Sequence, residues 1–143
     1  MMFRRSALAA ILATAPGVAL AHSTEDAPTG LQIELNTIQD VEGACRLTFV
    51  AENRTDSAID TASFQTVVFD ASGRVITFTL YNFRELPLDL PRVRQFDVKG
   101  EACGNISRVL INGLSSCVIG DSESEVCLKA LNLSSRTDVE LLG

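Results

Sequence analysis

Four cysteines, one histidine and a short arginine pair are the residues whose types and spacing invite chemistry in this 143-residue chain. Cys45, Cys103, Cys117 and Cys127 are separated by 58, 14 and 10 positions. A shared metal ion usually takes its thiolates from close C-x-x-C pairs, and none occurs here, so two disulfides are the better expectation. The missing C-x-x-C also removes a thioredoxin-like redox motif. His22 is the only histidine. If the chain is cut after Ala21, His22 becomes the amino terminus, where its amine and imidazole chelate Cu(II) through two nitrogens. Copper sites of the histidine-brace kind add a second histidine, which this chain lacks, and two nitrogens alone make a poorly selective site.

Arg92 and Arg94 alternate along an apolar stretch and therefore share one face, expected to be the solvent face, with Arg84 and Lys99 nearby in sequence. Arginine recognises anions through a two-pronged contact, so the pair is a candidate binding patch. Charge on an exposed strand also blunts edge-to-edge pairing, which is the structural alternative. The acidic run Asp121-Ser122-Glu123-Ser124-Glu125 offers oxygen ligands that suit Ca²⁺. It lacks the glycine-centred loop of an EF-hand and sits at an expected helix start, where the helix dipole favours carboxylates anyway. No G-x-S-x-G elbow and no glycine-rich phosphate loop is present. A Ser–His–Asp triad would depend on His22 in a polar lead-in. No cofactor is implied, and the chain is read as a non-enzyme.

These residues need a scaffold, and the first part of the chain says where that scaffold works. Met1-Met2-Phe3-Arg4-Arg5 is a basic start, Ser6 to Leu20 is an apolar run, and Ala19-Leu20-Ala21 is a small-x-small junction. This is the pattern of a cleavable secretion signal. At about fifteen residues, the run falls short of the roughly 20 needed to cross a hydrocarbon core. Arg4-Arg5 also raises a twin-arginine export route, although Ser6-Ala7-Leu8 matches the rest of that signal poorly and two arginines are equally an ordinary basic start. Residues 1–21 are therefore read as signal, 22–30 as a flexible lead-in and 31–143 as one domain. The mature chain is expected to be soluble in the periplasm or outside the cell, an oxidising setting that favours disulfides. Removing Arg4 and Arg5 from the 12 basic residues leaves 10 against 18 acidic ones, which argues against nucleic acid or an anionic membrane as the main partner.

Period-two alternation dominates the domain. Strands are expected at 31–35, 45–51, 64–69, 75–83, 93–98 and 106–111. A turn is expected at Asn53 to Asp56, and Asp70-Ala71-Ser72-Gly73 reads as a hairpin connection. Ser122-x-x-Glu125 matches a capping box ahead of Cys127, Ala130 and Leu131, predicting one short helix over 123–132. Thr137 to Leu142 is expected to return as an edge strand. Asn53, Asn105 and Asn132 fit the glycosylation pattern, and in a bacterial chain they would be turn and strand chemistry only.

Such strands, with turns about every ten residues, predict an all-β fold: a two-sheet antiparallel, immunoglobulin-like sandwich with one short C-terminal helix. Six phenylalanines, Phe49, Phe64, Phe69, Phe78, Phe83 and Phe96, are available to fill it. In an immunoglobulin-type order the strand at 45–51 runs antiparallel to that at 93–98, bringing Cys45 beside Cys103. Six extended residues at about 3.3 Å each place Cys117 roughly 20 Å from Cys103, whereas a bridge needs Cα atoms within about 7 Å. Pairs Cys45–Cys103 and Cys117–Cys127 are thus expected.

The stretch from Cys45 to Val98 resembles the FxLYD-type immunoglobulin-like domains of exported bacterial proteins. The resemblance rests on a strand ending in Asn53-Arg54-Thr55, the hairpin Val67-Val68-Phe69-Asp70-Ala71-Ser72-Gly73, and Phe78-Thr79-Leu80-Tyr81-Asn82. The whole chain, including Pro91-Arg92-Val93-Arg94-Gln95-Phe96-Asp97 and Arg108-Val109-Leu110-Ile111-Asn112, is also similar to small exported proteobacterial proteins with twin-arginine signals. The four cysteines and the expected helix depart from the FxLYD pattern. These resemblances imply an exported immunoglobulin-like module but supply neither an activity nor a catalytic residue. The resulting expectation is a non-catalytic binding or envelope accessory module whose partner is a protein or cell-envelope component. A periplasmic copper protein built on His22 is the alternative.

Overall fold

A computed structural model describes residues 13–19 and 28–143. The basic start, the junction at Ala21 and His22 lie outside these residues.

Nine strands follow one another as β1 (Gly30–Val41), β2 (Ala44–Arg54), β3 (Ile59–Phe69), β4 (Val75–Leu86), β5 (Arg92–Lys99), β6 (Arg108–Ile119), β7 (Ser122–Glu123), β8 (Leu131–Ser135) and β9 (Glu140–Leu142). A single helical turn, α1 (Val126–Lys129), precedes β8. One sheet has the order β5-β2-β1-β8. The other runs β4-β3-β6, with β7 and β9 both on the far side of β6. The sandwich is all-β, as its alternation predicts, but both sheets are mixed, because β8 joins β1 and β9 joins β6 in parallel.

Alternation sets the inward faces. Leu31, Ile33 and Leu35 of β1 and Leu47, Phe49 and Ala51 of β2 are buried between the sheets. After Leu35 the pairing skips Asn36, so Leu35 opposes Phe49 and Thr37 opposes Thr48. That bulge inverts the parity of the residues beyond it, which is why period-two alternation ends at Leu35 although β1 continues to Val41. The β3–β4 turn forms where the sequence places it. Asp70 Oδ1 accepts from the Ser72 and Arg74 amides, and Gly73 takes a φ of 84° that suits glycine.

The helix expected over 123–132 is reduced to Val126–Lys129, and the capping box does not form. Ser122 belongs to β7. Glu125 is the N-cap without a side-chain cap bond, and Ser124 Oγ accepts the Val126 amide instead. Leu131 and Leu133 then pack against the core while Asn132 and Ser134 face out, so this segment takes strand periodicity against β1. Sheet pairing adds hydrogen bonds at every second residue, which a lone helical turn cannot match. Leu31 N donates to Ala130 O at 2.8 Å. The chain passes so close there that a side chain at Gly30 would strike the Ala130 carbonyl.

Three phenylalanines do what the composition suggests. Phe49, Phe64 and Phe83 are fully buried, and Phe83 lies 5.5 Å from Phe49, 5.8 Å from Phe64 and 5.4 Å from Phe96. Phe69 and Phe78 do not join them. Phe69 lies under the Arg108 guanidinium at 5.4 Å, and Phe78 is 57 % exposed on β4.

Candidate binding site at the β4–β5 edge

The cysteines pair as Cys45–Cys103 and Cys117–Cys127, with Cα separations of 4.9 and 6.0 Å. β2 and β5 are antiparallel with Cys45 opposite Val98, so the start of one strand meets the chain leaving the other. Asp40 Oδ1 accepts the Cys103 amide at 2.7 Å, fixing the approach. The second bridge ties the turn of α1 to β6. Both are structural clasps, and no described cysteine is left as a thiol.

The arginine pair differs from its expected placement. Arg92, Arg94, Phe96 and Val98 all turn toward the facing sheet, while Val93, Gln95, Asp97 and Lys99 turn out. Arg94 is only 8 % exposed. Its Nε donates to Phe83 O at 2.6 Å and its Nη2 to Glu85 O at 3.0 Å, with the Glu85 carboxylate at 3.6 Å. The solvent-face expectation is therefore corrected. Phe96 and Val98 share parity with the arginines, and burying those two apolar groups carries Arg94 inward with them. A guanidinium is tolerated there because the β4 carbonyls satisfy its donors. Burial, and then the charge of Arg84, hold the Arg94 pKa below its usual value, while Glu85 opposes them.

Arg94 thereby joins the edges of the two sheets. β4 ends one sheet and β5 the other, and they lie on the same side of the sandwich. Between them runs a cleft of about 410 Å³ lined by Asn82, Arg84, Val93, Arg94, Gln95 and Phe96. A neighbouring hollow of about 460 Å³, sharing Gln95 and Phe96, extends to Arg46, Tyr81, Asp97 and Lys99. Tyr81 stacks on Phe96, with ring centres 4.1 Å apart and planes within 2°. Burial, helped by the Asp97 charge, pushes the Tyr81 phenol up to about 12. Arg46 holds Asp97 in a two-pronged contact at 2.8 and 3.0 Å, which keeps the carboxyl below its ordinary range. The Glu85 carboxyl is also lowered, first by its own backbone amide and then by Arg94, Arg84 and Arg92.

Arg84 is the residue whose importance the sequence understates. Its position marks it only as a charge flanking the arginine pair, yet it takes a left-handed φ of 59° and its amide is held by Asn82 Oδ1 at 2.8 Å. This bend in β4 puts Arg84 where its charge is felt by Arg94 and Glu85. A pre-bend asparagine is the one local signal for it. Among the described residues, Arg84, Arg92 and Lys99 have no carboxylate within ion-pair distance.

The other sequence candidates do not converge. In the acidic run, Ser122–Glu123 pair with β6 and Glu125 binds Lys129 at 2.6 Å. No group of three or more His, Cys, Asp or Glu positioned for a metal occurs among the described residues. Asn53 is a structural hub: its buried amide donates to Ser57 O and Leu86 O, and its Oδ1 accepts from Thr55. A hollow of about 650 Å³ beside Thr29, Ser124 and Asn132 has its cations Arg54 and Lys129 already paired with Glu52 and Glu125.

Fold and clasps define a disulfide-stapled, two-sheet all-β sandwich with a basic cleft along one side. The chain matches no protein-family model, no curated protein and no solved structure.

Proposed function

We propose that the protein is an exported, non-catalytic binding module that engages a protein or cell-envelope component along the β4–β5 edge. The observation that carries this reading is the concentration of unsatisfied groups on that side. Phe78, Leu80 and Val93 are each more than half exposed, Arg84 lines the cleft with Val93 and Lys99 the hollow with Leu80, and neither these two cations nor Arg92 is in an ion pair among the described residues. Apolar anchors next to arginine are what binding surfaces enrich. Two disulfides consuming all four cysteines fit an oxidising compartment such as the periplasm. The signal-like residues 1–21 support the same location, and no helix among the described residues is long and apolar enough to cross a membrane. The FxLYD resemblance agrees with an exported immunoglobulin-like module.

The test is expression of the full chain in a bacterial host. Intact mass of periplasmic protein should show a chain starting at His22 with four thiol hydrogens missing. A photo-crosslinking residue placed at Leu80 should then give a discrete adduct in the periplasm that the same group at Ser134, on β8, does not. Reduced protein retained in the cytoplasm, or equal labelling from both positions, would overturn the proposal.

A further inference from the structure

The sandwich has four strand edges, and three are protected. β8 has five residues, and the far edge of β6 carries only the two-residue β7 and three-residue β9. β5 has eight residues, but Asp97 and Lys99 stand on its outer face and Arg92 opens it. Short length and charge are the ordinary means of keeping an edge from pairing with another chain. β4 has twelve residues, and from Val75 to Phe83 it contains no charge and no proline. Its protection begins only where Arg94 occupies the carbonyls of Phe83 and Glu85.

The face beside that open edge is apolar. Phe78 opposes Val67 on β3, Val67 opposes Leu110 on β6, and Leu110 opposes Leu142 on β9. This row crosses the outer face: its β3 member, Val67, alternates with Val68 and, although itself only 6 % exposed, lies outside the cluster of side chains buried between the sheets. Leu80 stands next to the row at 55 % exposure. A further strand on β4 would prolong it. Charge then selects the occupant. β4 and β5 carry four cations, Arg84, Arg92, Arg94 and Lys99, against Glu85 and Asp97, in a chain with 12 basic and 18 acidic residues.

We infer that the open edge of β4, from Val75 to Tyr81, accepts an extended acidic segment of another polypeptide as an added strand whose carboxylates meet Arg84 and Arg92. This rests on the binding-module reading and names its partner class. Main-chain hydrogen bonds hold such a strand, and alternate side chains select it. Leu80 and Arg84 are four residues apart, so an apolar group of the guest sits about 13 Å from its carboxylate, at roughly 3.3 Å per residue. In the antiparallel sense the acidic end of the guest is its amino end. A second copy of the chain is a poorer occupant. Symmetric pairing about Thr79 would set Arg84 of each copy opposite the other's Arg74.

The probe is a blocked peptide, Asp-Glu-Thr-Thr-Val-Thr-Val-Thr, titrated into oxidised, isotopically labelled protein. Tyr81, the sole tyrosine in a chain without tryptophan, supplies the fluorescence readout. Saturable binding should move the amides of Val75 to Tyr81 and slow their hydrogen exchange. Arg84→Glu should weaken binding about tenfold, as expected for one lost charge pair. A peptide with lysines in place of the two acids should recover it on that variant. Methylating alternate peptide nitrogens should abolish binding to the unaltered protein, an arm that needs no folded mutant. Equal binding of the methylated peptide, indifference to Arg84→Glu, or shifts confined to other strands would overturn the inference. So would concentration-dependent dimerisation through β4, or binding to phosphatidylglycerol vesicles without peptide binding. Failure of the peptide with the Leu80 crosslink retained removes only the acidic-strand inference. Failure of both removes the binding-module reading as well.

Discussion

The two flanks of this sandwich meet the same problem, the unpaired rim of a β-sheet, in opposite ways. On the C-terminal flank, the chain after β6 folds back in short pieces: β7 and β9 cover the rim of β6, β8 covers that of β1, and Cys117–Cys127 holds the turn between. On the β4–β5 flank no described strand covers either rim. Closure there depends on one arginine reaching across from β5 to two β4 carbonyls and on the aromatic stack beneath it. A covered rim spends its backbone groups on the protein itself. An uncovered one keeps them for something else, so the difference separates the flank that stabilises the fold from the flank with chemistry left over.

Substitutions should separate the flanks in a definite order. Phe83→Ala is expected to cost most, about 3–5 kcal/mol, because it opens a cavity where both sheets meet; chemical denaturation reads it directly. Replacing Cys117 and Cys127 together by serine comes next. Closing a loop with a sequence separation of 10 gives about 3 kcal/mol in the chain-entropy account, and the loss should appear as a lower denaturation midpoint of the whole domain. Arg94→Met should cost about 2 kcal/mol, the range for hydrogen bonds to a charged group. It should also expose the Phe83 and Glu85 carbonyls as new pairing sites, lengthening the open edge. A loss above that of the disulfide pair would reverse the assignment of the two flanks.

Alkali tests the β4–β5 flank through its single phenol, Tyr81. Folding raises the Tyr81 phenol to about 12 from 10, so ionisation favours the unfolded chain. The stability carried by neutral Tyr81 is whole below pH 10 and is lost as the pH rises toward 12. An ultraviolet titration should show one tyrosinate appearing near pH 12, or an abrupt step at lower pH if the fold gives way first. A smooth titration at the ordinary tyrosine pKa of about 10 would mean an open flank. The smallest effect should come from Leu80→Thr, within about 0.5 kcal/mol. A near-zero change would show that Leu80 contributes little to the fold, leaving its side chain free for contact with a partner.

Much of the architecture was legible in local pattern. Leu31 to Leu35 and Cys45 to Ala51 announce strands by alternation, and Asp70 to Gly73 announces a hairpin because aspartate and glycine favour that turn. Cysteine spacing and strand order together reached the observed pairs. The C-terminal region was harder. A capping-box sequence between Ser122 and Glu125 is a true local preference, but one helical turn carries little free energy, and pairing of Leu131–Ser135 with β1 outweighs it. β8 and β9 pair in parallel with strands far away in sequence, and no local period reports such contacts.

The candidate site shows the same division. Composition and order of residues alone determined an all-β, cysteine-clasped, acidic chain with an arginine-bearing strand, because hydrophobic alternation and side-chain chemistry are properties of neighbours in sequence. Which face of that strand looks inward was decided by Phe96 stacking on Tyr81, a contact between different sheets. The bend at Arg84, the capture of two β4 carbonyls by Arg94 and the choice of β4 as the uncovered rim were likewise decided only in the assembled structure. Each depends on distances between strands that the sequence order leaves free and packing fixes.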